Sequence, residues 1–271
     1  MKHLRLSAIT KVLQSGARPA GGASTTSGEI ASLGAEHLDD TGGFRIEKIK
    51  RIPRSFFETL RSGKIKTNDI LIVKDGATTG KTSFVAHDFP FTEAAVNERV
   101  FRLVIDQSLA SPRYVFHFLR SPSGQEQIMT DFRGATVGGI GRTFIDGVQI
   151  PIFDASVQGR VVQILDRATN LIRLRQQALR QLTSLRVALF HSMFENEKSK
   201  SRQYDTVCLG DVCSLIRDGT HKTPRYVAAG VPFITVKNIV SGSLDFNKTK
   251  FVTHKEHLEL TKRAKPEKVI F

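Results

Sequence analysis

A stretch of about forty residues without proline separates two turn-rich parts of this chain and limits the folds open to it. From about 156 to 194 there is no proline, and Gly159 lies only at the start. Apolar residues recur at alternating spacings of three and four, which is typical of a helix with one apolar seam. Such a helix would be roughly 55–60 Å long at about 1.5 Å per residue. This length predicts a spacer between domains or one member of a helix pair.

The apolar seam is wider than that of a simple two-stranded coiled coil, and arginines occupy the remaining faces of the predicted helix. We expect the seam to form an interface with a partner helix. The residues assigned to it are Val161, Ile164, Leu165, Leu171, Ile172, Leu182, Leu185 and Leu189.

The sequence pattern before the helix is typical of a mixed, β-rich domain. Short apolar runs alternate there with Gly, Ser, Thr and Asn clusters. The runs at 70–73 and 100–104 predict strands. Residues 112–119 predict a short amphipathic helix that begins at Pro112. We place the first domain at 1–153 and the long helix at 154–199.

The part after the helix, 200–271, resembles the beginning of the first domain. Residues 209–219 match 6–16 in their apolar positions and final glycine, and 255–260 match 55–60 in the same way. The stretch 266–271 then matches 66–71, after a net deletion of three residues between the two copies. An internal repeat at this distance indicates a duplicated domain. The sequence therefore predicts a second, incomplete copy that stops where the first copy reaches its 70–73 strand.

Charge favours a polyanionic partner. Lys and Arg number 40 against 26 Asp and Glu, which gives a formal charge of +14. Neutralising the phosphates of a nucleic acid releases counterions, so a basic chain binds it readily. A basic protein with solvated lysines is the plainer alternative. With two cysteines, no apolar leader and no membrane-length apolar run, we expect a soluble cytoplasmic protein.

Catalytic motifs are weak in this sequence. The stretch 76–82 resembles a phosphate-binding loop but is one residue short of it, and the residues that follow are β-like and interrupted by Pro90. Carboxylates suitable for a nuclease metal site are scattered, and we interpret them as ion-pair partners. They are Asp69, Asp75, Glu93 and Glu98. We expect no catalytic residue, no metal and no cofactor.

DNA contacts require Lys, Arg, Asn, Gln or hydroxyl side chains on accessible loops. Polar loops in both copies supply such residues, and no base is assigned to any of them. The candidates are Lys74, Thr78, Thr79, Lys81, Arg99 and Arg142 in the first copy, and Thr220, His221, Lys222, Lys237 and Asn238 in the second.

The order of these motifs resembles the specificity subunit of type I restriction–modification systems. The stretches that carry the resemblance are 209–212, 219–224 and 231–239 in the second copy, and 68–73, 75–80, 150–152 and 161–165 in the first. The resemblance implies an α+β protein with a β-rich target-recognition domain, a long spacer helix and a partial second recognition domain. It also implies a non-catalytic subunit that binds double-stranded DNA and directs methyltransferase and restriction subunits to the site.

The sequence departs from that family because the rest of the second domain and a second long helix are absent from it. Three alternatives follow. The chain is a truncated or inactive product, or a half-subunit that forms a homodimer through its long helix, or an interaction protein that mainly binds the methyltransferase.

Overall fold

The computed structural model describes residues 2–134, 138–194, 207–214, 216, 218–240 and 242–262. The chain forms two compact units, Met1–Glu195 and Asn196–Phe271. The last residues assigned to the long helix, 195–199, and the repeat match at 266–271 lie outside the described residues. The α+β class predicted from the sequence, with its long helix, is confirmed.

Unit 1 is built from short strands and helices, and its strands are described first. They are β1 (Lys2–Arg5), β2 (Thr10–Ser15), β3 (Ile30–Leu33), β4 (Lys50–Ile52), β5 (Ile70–Val73), β6 (Thr82–Phe84), β7 (Ala94–Val96), β8 (Val100–Ile105), β9 (Phe132–Arg133), β10 (Gly139–Ile140) and β11 (Gln149–Ile152).

Its helices are α1 (Leu6–Ile9), α2 (Arg54–Thr59), α3 (Pro112–Arg120), α4 (Pro122–Met129), α5 (Phe144–Gly147) and α6 (Ala155–Phe194), with a 3-10 helix at Ala35–His37. Both α3 and α4 begin with proline in the first turn, after a serine that accepts a backbone hydrogen bond from the helix. The predicted helix that begins at Pro112 is confirmed.

The central sheet has the order β2-β8-β5-β6, with every neighbouring pair antiparallel. All four residues of β5 are buried, which explains why this strand reads as an uninterrupted apolar run. A second sheet has the order β4-β3-β7, and β3 runs parallel to β7. The apolar core lies on the two faces of β5, because alternate residues of a strand point to opposite sides.

Helix α6 makes its buried contacts with the rest of unit 1 through its first turns. The buried Gln158 accepts a hydrogen bond from the Ser111 backbone N–H at 2.9 Å, and Asp166 pairs with Arg113 and His117 of α3. From residue 170 onward every residue of the helix is exposed. In the described part of the chain, no helix combines the length and the hydrophobicity that crossing a membrane requires.

Part of unit 2 repeats an order found near the start of unit 1, namely strand, 3-10 helix, strand and helix, with two further short strands after the 3-10 helix. Its elements are α7 (Leu209–Val212), β12 (Tyr226–Val227), β13 (Val231–Phe233), a 3-10 helix at Val236–Asn238, β14 (Ile239–Val240), β15 (Ser243–Leu244), β16 (Lys250–Val252) and α8 (His254–Thr261). The β13–β16 pair opposes Val231 to Val252, as the β3–β4 pair opposes Ile30 to Ile52. This order agrees with the internal repeat inferred from the sequence.

The 3-10 helix of unit 1 is held by a buried histidine. The Gly34 backbone N–H donates to His37 Nδ1 at 2.9 Å, so the neutral ring carries its proton on Nε2, which faces the Lys48 carbonyl at 3.4 Å. Burial lowers the pKa of His37, against the opposing influence of Glu36. A second proton on the ring would bind to Nδ1, where its N–H would face the Gly34 N–H and remove this hydrogen bond.

Asn238 fills the same place in unit 2. Its Oδ1 accepts from the Thr235 backbone N–H at 2.9 Å, and its Nδ2 donates to the Asp245 carbonyl at 3.0 Å. An amide thus supplies the acceptor and donor that a neutral imidazole supplies in unit 1. The Asn238 side chain is buried and occupied, so we remove it from the candidate DNA contacts.

A buried ion pair links the central strands of unit 1. Arg102 of β8 donates from Nη2 to Asp69 Oδ1 at 3.0 Å, and the Lys66 backbone N–H donates to Asp69 Oδ2 at 2.6 Å. Burial raises the pKa of Asp69, while the Arg102 guanidinium opposes that change. Arg102 also reaches Gln14 of β2 at 3.3 Å, so three segments meet at one side chain.

The histidine at the 3-10 helix predicts acid sensitivity. Because the folded-state pKa of His37 is lowered, the unfolded chain binds the proton more readily, and stability falls as pH drops below about 6.5. His37→Asn should make that loss shallower, whereas His37→Ala should cost about 2 kcal/mol at pH 7 by orphaning the Gly34 N–H. Urea unfolding from pH 5 to pH 8 measures both effects. An unchanged pH slope in His37→Asn would contradict this role for the ring.

The buried pair predicts a large loss when one partner is removed. Asp69→Asn leaves the Arg102 charge uncompensated and should lower the free energy of unfolding by about 3–5 kcal/mol. Glu98→Gln, in the exposed pair with Arg18, is the control and should cost about 1 kcal/mol or less. Similar losses in the two variants, measured by denaturant titration, would contradict the assignment.

Candidate nucleic-acid interface

Candidate residues of the first copy gather at one end of the central sheet. Strand β5 ends there at Val73, and the antiparallel β8 begins there at Val100, its register partner. The loop 74–81, the segment 97–99 and the segment 141–143 lie at this end, and we call them the rim. Sequence-predicted residues on the rim are Lys74, Thr78, Thr79, Lys81, Arg99 and Arg142.

The loop 74–81 is a tight connection between two antiparallel strands. Gly80 has φ +86°, a conformation that favours glycine, and its N–H donates to the Val73 carbonyl at 2.8 Å. The chain continues directly into β6 instead of a helix. A phosphate-binding loop leads into a helix N-terminus at that point, whereas here a strand follows.

Both lysines of the loop are held by carboxylates. Lys81 Nζ lies 2.6 Å from Asp40 Oδ1, and its hydrogen bond holds the pKa of Asp40 below the ordinary value. Lys74 Nζ lies 2.9 Å from Asp75 Oδ2. The Thr79 hydroxyl donates to the Gly76 carbonyl at 2.7 Å, whereas Thr78 is exposed. Of the four candidate side chains in this loop, three therefore bond to other described residues of the protein, and Thr78 is the exception.

The arginines of the rim are more open. The Arg99 side chain is more than half exposed, and its Nε lies 4.0 Å from Glu98 Oε1. Arg142 is exposed and reaches the Leu13 carbonyl at 3.4 Å. Asp131 fixes the backbone before Arg142 by accepting from the Gly141 N–H at 2.7 Å. Arg99 and Arg142 are thus the rim cations with donors available to a ligand.

Candidates in unit 2 are described by themselves. Thr220 and Lys222 form a local turn in which the Lys222 N–H donates to the Thr220 hydroxyl at 3.2 Å. His221 Nε2 lies 2.6 Å from Asp218 Oδ2, with both side chains mostly exposed. Lys237 is exposed on the 3-10 helix. These residues remain candidates, apart from Asn238.

The scattered carboxylates are ion-pair partners in the structure. Asp69 pairs with Arg102, Asp75 with Lys74, Glu93 with Arg54 at 2.9 Å, and Glu98 with Arg18. Within the residues that the structure describes, no group of three metal-ligating side chains is close enough to hold an ion. Each of these four carboxylates is thus matched by a basic side chain.

The predicted partner-helix interface is exposed along most of α6. Residues Ile164, Leu165, Leu171, Ile172, Leu182, Leu185 and Leu189 are all exposed. Val161 differs, because its side chain packs against the core of unit 1 and belongs to the anchor of the helix. Leu182 and Leu185 lie with Ala178 and Ala188 on one shallow apolar face, while Gln177 faces the loop 39–47.

Sequence reasoning missed several residues beside the rim. Gly34, Glu36, Arg18 and Lys50 line a cleft together with Asn97 and Arg99. Aligning the two copies through 30–37 and 231–238 would have pointed to Glu36, since it occupies the same place as Lys237.

No model of a known protein family matches the chain, and no curated protein matches it. Solved structures do. The crystal structure of a type I restriction–modification system S subunit from M. genitalium is 16% identical with a TM-score of 0.48, over 93% of this chain and 62% of that one. The crystal structure of the HsdS subunit from Thermoanaerobacter tengcongensis is 18% identical with a TM-score of 0.46, over 89% and 62%.

A third structure comes from work on complex assembly and conformational transition of the type I R-M system. It is 14% identical with a TM-score of 0.49, and the match covers 72% of this chain and 44% of that one. The matches thus span between 44% and 62% of the lengths of these three proteins. The two named subunits are of the class that the motif order of the sequence resembles.

The Lys81–Asp40 pair predicts a gain of polyanion binding when it is broken. Asp40→Asn frees the Lys81 ammonium together with Arg45, whose Nη2 lies 3.0 Å from the same carboxylate, and should steepen the slope of log K against log salt by about one for duplex DNA. Glu58→Gln on α2 adds the same charge outside the rim and is the control. Filter binding from 50 to 200 mM salt measures both slopes. Equal slopes in the two variants would show that Lys81 does not face the nucleic acid.

Proposed function

We propose that this chain is a DNA-recognition protein of the type I specificity-subunit class, without catalytic activity of its own. The observation that carries the proposal is the placement of the rim. Its exposed arginines and hydroxyls belong to the same compact unit that anchors α6, whose far part is apolar and exposed. One unit thus offers a DNA-binding edge and a protein-binding helix.

The domain boundaries follow as part of this proposal. Residues 1–153 form the first target-recognition domain, 154–199 the spacer helix, and 200–271 part of a second recognition domain. The repeated order of elements in unit 2, including the shared role of His37 and Asn238, supports a second domain of the same type. Each recognition domain would contact its own part of a double-stranded DNA site.

The partners follow from the exposed face of α6. An apolar helix face of this length is stabilised by covering it with another protein surface. We assign it to methyltransferase subunits or to α6 of a second copy, and restriction subunits would join through the assembled complex. Directing both activities to a DNA site is then the role of the whole assembly.

The alternative is an interaction protein that binds the methyltransferase without specific DNA binding. The continuous exposure of α6 favours it, because that helix alone suffices for protein contact. Two measurements separate the alternatives: copurification with a methyltransferase subunit, and selective binding of one sequence from a random duplex library. The proposal requires both, whereas the alternative gives only the first.

The helix predicts a separable loss of assembly. In the full chain, Leu182→Glu with Leu185→Glu should abolish copurification with the methyltransferase subunit, because charges replace the apolar face, while DNA binding persists. Gln177→Glu, on the face toward the loop 39–47, is the matched control and should copurify normally. Copurification that survives the double substitution would contradict the role given to α6.

A further inference from the structure

A polar cleft lies beside the rim, where two parallel strands end. Strands β3 and β7 run in the same direction, so Gly34 and Asn97, which follow them, come to the same edge. The cleft has a volume of about 340 Å³, and we call it the Arg99 cleft. Its lining includes Glu36, Asn97 and Arg99, with Gly34 among the lining backbone.

The backbone under Arg99 is fixed by hydrogen bonds on both sides. Its N–H donates to Asn97 Oδ1 at 2.9 Å, and its carbonyl accepts from the Lys74 N–H at 2.9 Å. Asn97 is itself tied to the Leu33 carbonyl at 2.9 Å and to the Gly16 N–H at 3.2 Å. The position of Arg99 is therefore determined by neighbouring strands, as base readout requires.

The carboxylate next to Arg99, that of Glu98, already pairs with another arginine. Arg18 donates to both carboxylate oxygens of Glu98, one of them from Nε at 2.8 Å. Partial burial would raise the pKa of Glu98, but the bond from Arg18 lowers it below the ordinary value, so the carboxylate stays charged. Since Arg18 holds Glu98, the terminal nitrogens of Arg99 remain available to a ligand.

Gly34 lies where two further polar groups converge. A Cβ at this position would lie 2.5 Å from Glu36 Oε2 and 2.6 Å from Asn97 Nδ2. Glu36 is held in place by Lys50, whose Nζ lies 2.7 Å from Oε1. An acceptor, an amide and the Arg99 guanidinium thus face one small space, which suits the mixed donors and acceptors of a base-pair edge.

The two copies differ at this place while their fold is kept. His37 and Asn238 have the same structural role, but the residue before each of them is Glu36 in unit 1 and Lys237 in unit 2. A solvated position next to a fixed turn has thus changed from acidic to basic. This difference is expected where two recognition units read different sequences.

We propose that the Arg99 cleft is the base-reading site of unit 1 and takes the major-groove edge of a G·C pair, with Arg99 donating to guanine. This inference rests on the proposed function. Arg donates two hydrogen bonds to guanine O6 and N7, and a carboxylate such as Glu36 accepts from the cytosine amino group. Arg142, also on the rim, contacts phosphate.

The experiment selects bound sequences from a random duplex library with the full chain in complex with its methyltransferase subunit. Arg99→Ala should lose the preference for G·C at one position, by roughly 10- to 100-fold, and keep the remaining positions. Arg142→Ala should weaken all sequences alike and reduce the salt slope by about one. Circular dichroism melting confirms that each variant is folded.

Gly34→Ala is a second, independent variant. The atoms nearest to the added methyl belong to the ends of the Glu36 and Asn97 side chains, which can move, so the fold should persist while the same G·C preference weakens. An unchanged motif in folded Arg99→Ala, with a uniform loss of affinity, would overturn the base-reading role and leave the proposed function intact. Failure of the wild-type complex to select any sequence would overturn both.

Discussion

The contact between Arg102 and Asp69 determines how the strands of unit 1 meet. Arg102 lies on β8, the strand between β2 and β5, and its guanidinium contacts Asp69 just before β5 and Gln14 on β2. An isolated buried charge is costly, so the three segments must come together in this register. The ends of the same strands carry Lys74 and Arg99, and their spacing on the rim follows from that register.

Helix α6 combines two environments along one element. Near its start, Gln158 and Asp166 make the polar contacts that fix it to α3, and Val161 packs into the core. Farther along, the face toward the loop 39–47 is polar and the apolar face points elsewhere. Beyond Val161 the apolar seam is therefore exposed in unit 1, which is why it is available to a partner.

Elements with strong local patterns could be predicted from the sequence. The long helix, placed at 154–199, is found at Ala155–Phe194 among the described residues, and the apolar run 70–73 is β5. Contacts that depend on tertiary pairing could not be predicted. The parallel pairing of β3 with β7 brings Gly34 next to Asn97, about sixty residues away in the sequence, and the Arg99 cleft exists only because of it. The sequence predicts Asn238 as a DNA contact on a loop, because it does not reveal that this side chain is buried.

The exchange of His37 for Asn238 has a consequence for how the chain responds to acid. An imidazole changes charge in the mildly acidic range and an amide does not, so this source of acid lability exists at the turn of only one copy. The two turns then respond differently to acid. Protonation weakens the turn at His37 in unit 1, whereas the turn at Asn238 in unit 2 does not change its charge. The free energy of unfolding of unit 1 thus acquires a pH dependence at this turn that the Asn238 turn does not give unit 2.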